Sequence, residues 1–122
     1  MVICKAVRGA TSVSNDKKEL IAEAVKELVV QLIQKNNIEE GQIISIQFTL
    51  TDYLHTLNPA SALRQIGFDS VPLFCAKEPK IKGGLKKIIR VLITFNGKEN
   101  EAVYPLYLNR ATLLRPDLIK SP

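Results

Sequence analysis

The spacing of hydrophobic positions changes several times along the 122-residue chain, and each change marks an element. Residues 2–7 alternate loosely and are rich in β-prone side chains, which predicts a first strand. Arg8-Gly9-Ala10-Thr11-Ser12 then breaks the pattern. Ser14-Asn15-Asp16 offers helix-capping side chains, and Glu19, three residues after Asp16, resembles the second half of a capping box. From there Leu20, Ala24, Leu28 and Leu32 recur every four residues, and Ile21, Val25, Val29 and Ile33 do the same one position later. This double stripe predicts the core face of an amphipathic helix of about five turns, ending near Lys35-Asn36-Asn37.

After Gly41 the period falls from roughly four to two. Ile44, Ile46, Phe48 and Leu50 alternate with Ser45, Gln47 and Thr49, as in a strand with one buried face. Thr51-Asp52 opens a loop. Pro59 suits the first turn of a short helix carrying Ala60, Ala62, Leu63 and Ile66, stopped by Gly67. Residues 71–77 predict a third strand, ended by Pro79 and the Gly83-Gly84 pair. Residues 86–95 form the strongest strand signal, closed by Asn96-Gly97, a favoured turn dipeptide. A last short strand at 103–108 and a helical turn at 109–114 complete the order β-α-β-α-β-β-β. That order predicts an α+β fold: a mixed sheet with helices on one face.

Composition narrows the class. The apolar share of 46% and charged share of 24% are ordinary for a globular domain, and the length suits one. No apolar run approaches the roughly 18 residues of a membrane span. The first eight residues read as a strand and not as a signal or transit peptide. Two cysteines, Cys4 and Cys75, and one histidine, His55, are too few for a four-ligand zinc site. Both cysteines sit in apolar strand contexts, as inert buried thiols do, and a reducing cytoplasm or stroma is the expected compartment.

Candidate chemistry begins with Arg90. Ile89, Val91, Ile93 and Phe95 make one apolar strand face, and Arg90 lies on the other between Ile88 and Leu92. A guanidinium between aliphatic neighbours either pairs with an anion or lies on a solvent-facing sheet. Arg8 precedes Gly9 and could be aimed into a cleft or simply be exposed. Glu78 lies at a strand terminus before Pro79. Residues 77–90 hold Lys77, Lys80, Lys82, Lys86, Lys87 and Arg90 against Glu78 alone, a local +5 that equals the net charge of the whole chain. Such a cluster suits phosphate or a small anion, and equally a solvated basic loop. Gly83-Gly84-Leu85-Lys86 lacks P-loop spacing, and no nucleophile-elbow motif accompanies His55 and Asp52. Cations, one carboxylate and the phenol of Tyr107 remain, a set suited to holding a dianion.

Four ordered segments resemble one family. They are Val7-Arg8-Gly9-Ala10-Thr11, Val71-Pro72-Leu73-Phe74-Cys75-Ala76-Lys77-Glu78, the run from Gly83 to Val91, and Tyr107-Leu108 followed by Leu113-Leu114-Arg115-Pro116-Asp117-Leu118. In sequence and spacing they are similar to the monofunctional chorismate mutases of the trimeric, Bacillus-type (AroH-like) class. The resemblance implies a single domain over 1–122 with a mobile tail from about 116. It implies a fold related to the ferredoxin-like sheets, assembled as a trimeric pseudo-α/β-barrel with active sites between subunits. It further implies cytoplasmic rearrangement of chorismate to prephenate, with no cofactor or metal and no nucleic-acid or membrane partner. By that resemblance Arg90, Glu78, Arg8 and Tyr107 are catalytic, Cys75 and Leu114 line the pocket, and Asn58, Ala60 and Arg64 come from the neighbouring subunit. The chain departs from the family pattern at Asn58, where an aromatic is common, and at Ser61, where a lysine often lies. It also carries one inserted residue before Pro59 and one deletion between Arg64 and Val71. The alternative reading is a non-catalytic trimer binding a small anionic metabolite. A nucleic-acid module would explain only the basic stretch.

Overall fold

The computed structural model describes residues 1–118. Among them are strands β1 (Val2–Ser12), β2 (Ile43–Leu50), β3 (Leu73–Lys77), β4 (Ile88–Lys98) and β5 (Leu106–Tyr107), and helices α1 (Lys18–Lys35) and α2 (Pro59–Arg64). Short 3-10 turns lie at Glu40–Gln42, Asn109–Leu113 and Pro116–Leu118. The sheet order is β3-β2-β4-β1-β5. β4 is central and antiparallel to both β1 and β2, while β3 and β5 lie parallel to their neighbours at the edges. No helix here is long and apolar enough to cross a membrane. The expected tail concerns residues 116–122; its first three form a 3-10 turn, and 119–122 lie outside the described residues.

Both helices pack on one face of the sheet. Ile21, Val25, Leu28, Val29 and Leu32 of α1 and Ala62 and Leu63 of α2 share a core with Ile46, Phe48, Ile89, Val91 and Ile93. A fully buried Leu or Ile in such a core contributes about 1.5–3 kcal/mol. Asn58 caps α2 by accepting a hydrogen bond from the Ala60 N–H at 2.9 Å, and Pro59 takes the first turn. Gly67 follows with φ +98°, a left-handed conformation that glycine reaches without a Cβ penalty.

Several boundaries differ from the pattern, each for a physical reason. β1 does not stop at residue 7 but runs through Arg8 and Gly9 to Ser12, antiparallel to β4. Gly9 belongs in the strand because a Cβ there would stand 3.1 Å from Leu32 of α1 and 3.2 Å from the Leu106 carbonyl. A bulge between Ile43 and Ser45 turns Ile44 outward, 41% exposed, and buries Ile43 in its place. Asn96-Gly97 makes no hairpin. β4 continues to Lys98, with Asn96 opposite Cys4 and Gly97 opposite Ile3, because the next strand in the chain joins β1 in parallel. β3 begins at Leu73, later than expected, and β5 is only two residues long.

The expected capping box is also replaced. Lys17 is the N-cap and gives no side-chain cap bond. Asp16, one residue further out, turns to the loop before α2. Its Oδ1 accepts from the N–H of His55 (2.9 Å), the N–H of Thr56 (3.1 Å) and the Thr56 hydroxyl (2.9 Å). Its Oδ2 lies 3.1 Å from His55 Nδ1, so His55 pairs with Asp16 and not with Asp52. Desolvation pushes this carboxyl upward, but the donors from His55 and Thr56 outweigh it and hold Asp16 below its ordinary value.

A depressed folded-state value means that ionised Asp16 stabilises above the unfolded value near 4, and that this contribution fades as pH falls through the folded value. Asp16→Asn should therefore lower the thermal midpoint at about pH 7, with the gap from the parent narrowing as pH falls below about 4 and on through the folded value. A gap of constant size across that range would show that the charge is not its source.

Candidate active site

Strand alternation places the odd-numbered residues of β4 toward the helices and Arg90 and Leu92 on the open face. The register puts Arg90 opposite Thr49 of β2 and Ala10 of β1, and Ala10 opposite Tyr107 of β5. Thr49, Arg90, Ala10 and Tyr107 thus form one row across the open face. Gln47, Leu92 and Arg8 form the next row. Ala10, buried and small, keeps the floor low between the arginine and the phenol. Above these rows lies a cleft of about 410 Å³ whose polar lining is Arg8, Gln47, Thr49, Arg90, Tyr107 and Arg115.

Glu78 is brought to the same face by the end of β3. Its N–H donates to the Leu50 carbonyl at 2.8 Å, and Pro79, which has no N–H, ends the pairing. One carboxylate oxygen, Oε2, accepts from Arg90 Nε at 2.9 Å and from the Thr49 hydroxyl at 2.5 Å. The Arg90 side chain is 45% exposed and that of Glu78 20%, so the pair is neither fully buried nor free in solvent. With Nε committed, the terminal nitrogens of Arg90 make no hydrogen bond among the described residues, and they carry the donors a ligand would meet.

Arg115 enters the cleft from the C-terminal segment, two-pronged on Asp117 at 3.1 Å (Nε to Oδ1) and 2.9 Å (Nη2 to Oδ2). Hydrogen bonding to Arg115, with help from the charge of Arg8, holds the Asp117 carboxyl below its ordinary value, while Asp117 raises Arg115 further. Leu114 packs beside Tyr107 against the small cluster of Ala10, Ile88 and Ala111 that closes this end of the open face.

Arg90, Glu78, Arg8 and Tyr107 therefore share one face, with Arg8 in mid-strand and not at a strand end. Leu114 stands beside Tyr107 at the same end, whereas Cys75, Asn58, Ala60 and Arg64 do not join them within the chain. Cys75 pairs with Phe48 and packs toward the main core, on the helix side of the sheet. Alternation decides this: Ala76, not Cys75, shares the row of Thr49 and Arg90. Burial pushes the Cys75 thiol up. Asn58 is committed to the cap of α2, and Ala60 is 3% exposed in the chain's own packing. Arg64 ends α2, which rests on α1 and β3 away from the cleft. Thr49, Gln47 and Arg115 were not singled out by the pattern. The first two lie on the polar side of a half-buried strand, and Arg115 has Asp117 two residues on as its one local signal.

Fold and cleft together define a small α+β protein that gathers three guanidiniums, a carboxylate and a phenol on an open sheet face, an arrangement for a compact polyanion. The family model for chorismate mutase type I matches residues 4–118. The chain belongs to that family. It is 38% identical over 116 residues to chorismate mutase AroH of Thermus thermophilus, an overlap of 93% of this chain and 95% of the relative. It is 34% identical over 119 residues to chorismate mutase AroH of Bacillus subtilis strain 168, covering 96% and 94%. The solved structure of a chorismate mutase from Clostridium thermocellum superposes with a TM-score of 0.85 at 38% identity, covering 89% of this chain and 98% of that one.

The placement of the two thiols gives a direct check. Cys4 is exposed, contrary to its apolar sequence context, whereas Cys75 is half-buried with a raised value. In the native protein a disulfide thiol reagent should modify Cys4 at least about tenfold faster than Cys75, because only thiolate reacts. Cys4→Ser should remove the fast phase. A fast phase surviving in that variant would put Cys75 on the open face instead.

Proposed function

We infer that the chain catalyses the rearrangement of chorismate to prephenate, using the open-face cleft. The reaction is a Claisen rearrangement within one molecule. The ether C–O bond breaks, a C–C bond forms, and every atom of the substrate is kept. No electron or group is exchanged with a partner, so the chemistry needs no cofactor. Breaking of the C–O bond runs ahead of C–C bond formation, so negative charge grows on the ether oxygen.

A donor already aimed at that oxygen lowers the barrier more than it stabilises the ground state. Arg90 takes this role, its fork oriented by Glu78 through Nε so that the terminal nitrogens meet the ether oxygen and a carboxylate. Arg8, one row along the sheet, pairs with a substrate carboxylate and holds the compact reactive conformer. Glu78 accepts from the ring hydroxyl through the oxygen not shared with Arg90 and Thr49. Tyr107 fixes the enolpyruvyl carboxylate across Ala10. An acceleration of about a millionfold requires roughly 8 kcal/mol, of which one charged donor supplies about 3–4. Conformational restriction by the arginines supplies much of the remainder.

The reading includes a homotrimer in the cytoplasm, with α2 of a neighbouring subunit, through Asn58 and Arg64, completing each cleft. Phe74 at 64% and Leu92 at 39% exposure on the open face support burial of that face against another chain. Sedimentation equilibrium should then return three times the 13.6 kDa chain mass, and a monomer at micromolar concentration would contradict it.

The observation that carries the reading is the Arg90–Glu78 pair beside the cleft of Arg8 and Tyr107. Purified protein should consume chorismate, followed as loss of its absorbance, with prephenate as the sole product. Arg90→Lys keeps a charge but loses the planar fork, so kcat should fall by about a hundredfold or more while KM moves much less. Ordinary turnover by Arg90→Lys would remove the arginine from its assigned role.

A further inference from the structure

The loop from β3 to β4 builds a second, smaller cleft of about 210 Å³ against the Arg90–Glu78 pair. Its walls carry Asp52, Glu78, Lys80, Lys82, Lys86 and Arg90, and Arg90 also lines the larger cleft. The loop folds over the pair because its chain reverses tightly. The Gly84 N–H donates to the Ile81 carbonyl at 3.0 Å, and Gly83 has φ +83°, a conformation that needs glycine. This reversal sets Lys80 and Lys82 on one side of the turn and Lys86 on the other.

The lysines are weakly engaged. Lys86 Nζ stands 5.1 Å from the centre of the Tyr53 ring, Lys80 Nζ is 3.9 Å from Asp52, and Lys82 has no ion-pair partner among the described residues. The Lys80 side chain is 82% exposed, so its ion pair stabilises little and its charge projects outward. Four cations face two carboxylates, which leaves a local excess of two positive charges beside the arginine that serves both clefts.

We propose that this lysine-walled cleft is a vestibule that captures the substrate dianion by its carboxylates and delivers it past Arg90 into the larger cleft. The proposal rests on the function inferred above. Clustered charge of one sign at a low-dielectric wall raises the local concentration of an oppositely charged ligand and its association rate. The effect reaches over a Debye length, about 10 Å at 0.1 M salt, and fades as ionic strength rises. Such capture acts before the chemical step, so it appears in kcat/KM and leaves kcat alone.

The test is steady-state turnover of chorismate by the intact protein across ionic strength. In the parent, kcat/KM should fall as salt rises. Lys80→Glu with Lys82→Glu should lower kcat/KM about three- to tenfold at low salt, flatten the salt dependence and leave kcat unchanged. Lys80→Arg with Lys82→Arg keeps the charge and should match the parent. A salt dependence equal in the parent and the glutamate double variant would overturn the vestibule, as would loss of kcat/KM in the arginine double variant. Absence of any chorismate turnover in the parent would instead remove the function on which it rests.

Discussion

The central strand governs the structure. β4 is bonded on both sides, so its two faces cannot exchange roles without tearing both ladders. Ile89, Val91, Ile93 and Phe95 must meet the helices, and this commits Arg90 to the opposite face. Among the described residues that face carries neither α1 nor α2, only the short 3-10 turn at Asn109–Leu113 near one end, and this leaves Arg90 half-hydrated: a fully buried guanidinium would lose hydration that one carboxylate seldom restores. Half-exposed, Arg90 needs only a modest partner, and Glu78 arrives from the end of β3 to provide it.

Geometry follows from sharing one oxygen. Glu78 Oε2 receives both Arg90 Nε and the Thr49 hydroxyl, so three strands hold one carboxylate and the carboxylate holds the fork. Charged hydrogen bonds of this kind fix direction as well as energy. Arg115 is held similarly by Asp117, whereas Arg8 has no hydrogen-bonded acid among the described residues. The cleft therefore combines two pre-aimed guanidiniums with one left for an incoming anion. The same division separates binding from positioning in the inferred mechanism.

Two layers with opposite duties result. The helix side is apolar and closely packed, and it takes up Cys75 and Ala60 as packing residues. The open side carries the polar groups of the cleft beside the exposed apolar Phe74 and Leu92, and residues 109–114 fold Leu114 and Ala111 over Ala10 and Ile88 at one end. That small cap fixes the end of the cleft where Tyr107 and Arg115 stand, so the last part of the chain shapes the site without joining the main core.

Much of this was legible along the chain. The double stripe of α1, the alternation of β4, the Pro59 start and Gly67 stop around α2, and the helices on one face all follow from local periodicity and capping chemistry. The four segments that resemble the family carried Arg8, Glu78, Arg90 and Tyr107. Periodicity is a property of neighbours in sequence, however, and says nothing about register between strands. Only tertiary pairing set Thr49 opposite Arg90, turned Cys75 to the helix side and ran β4 through Asn96-Gly97 to meet the start of β1. Likewise Asp16 left its expected cap for His55 and Thr56, about 40 positions away in the chain, because hydrogen-bond partners are chosen by distance in space.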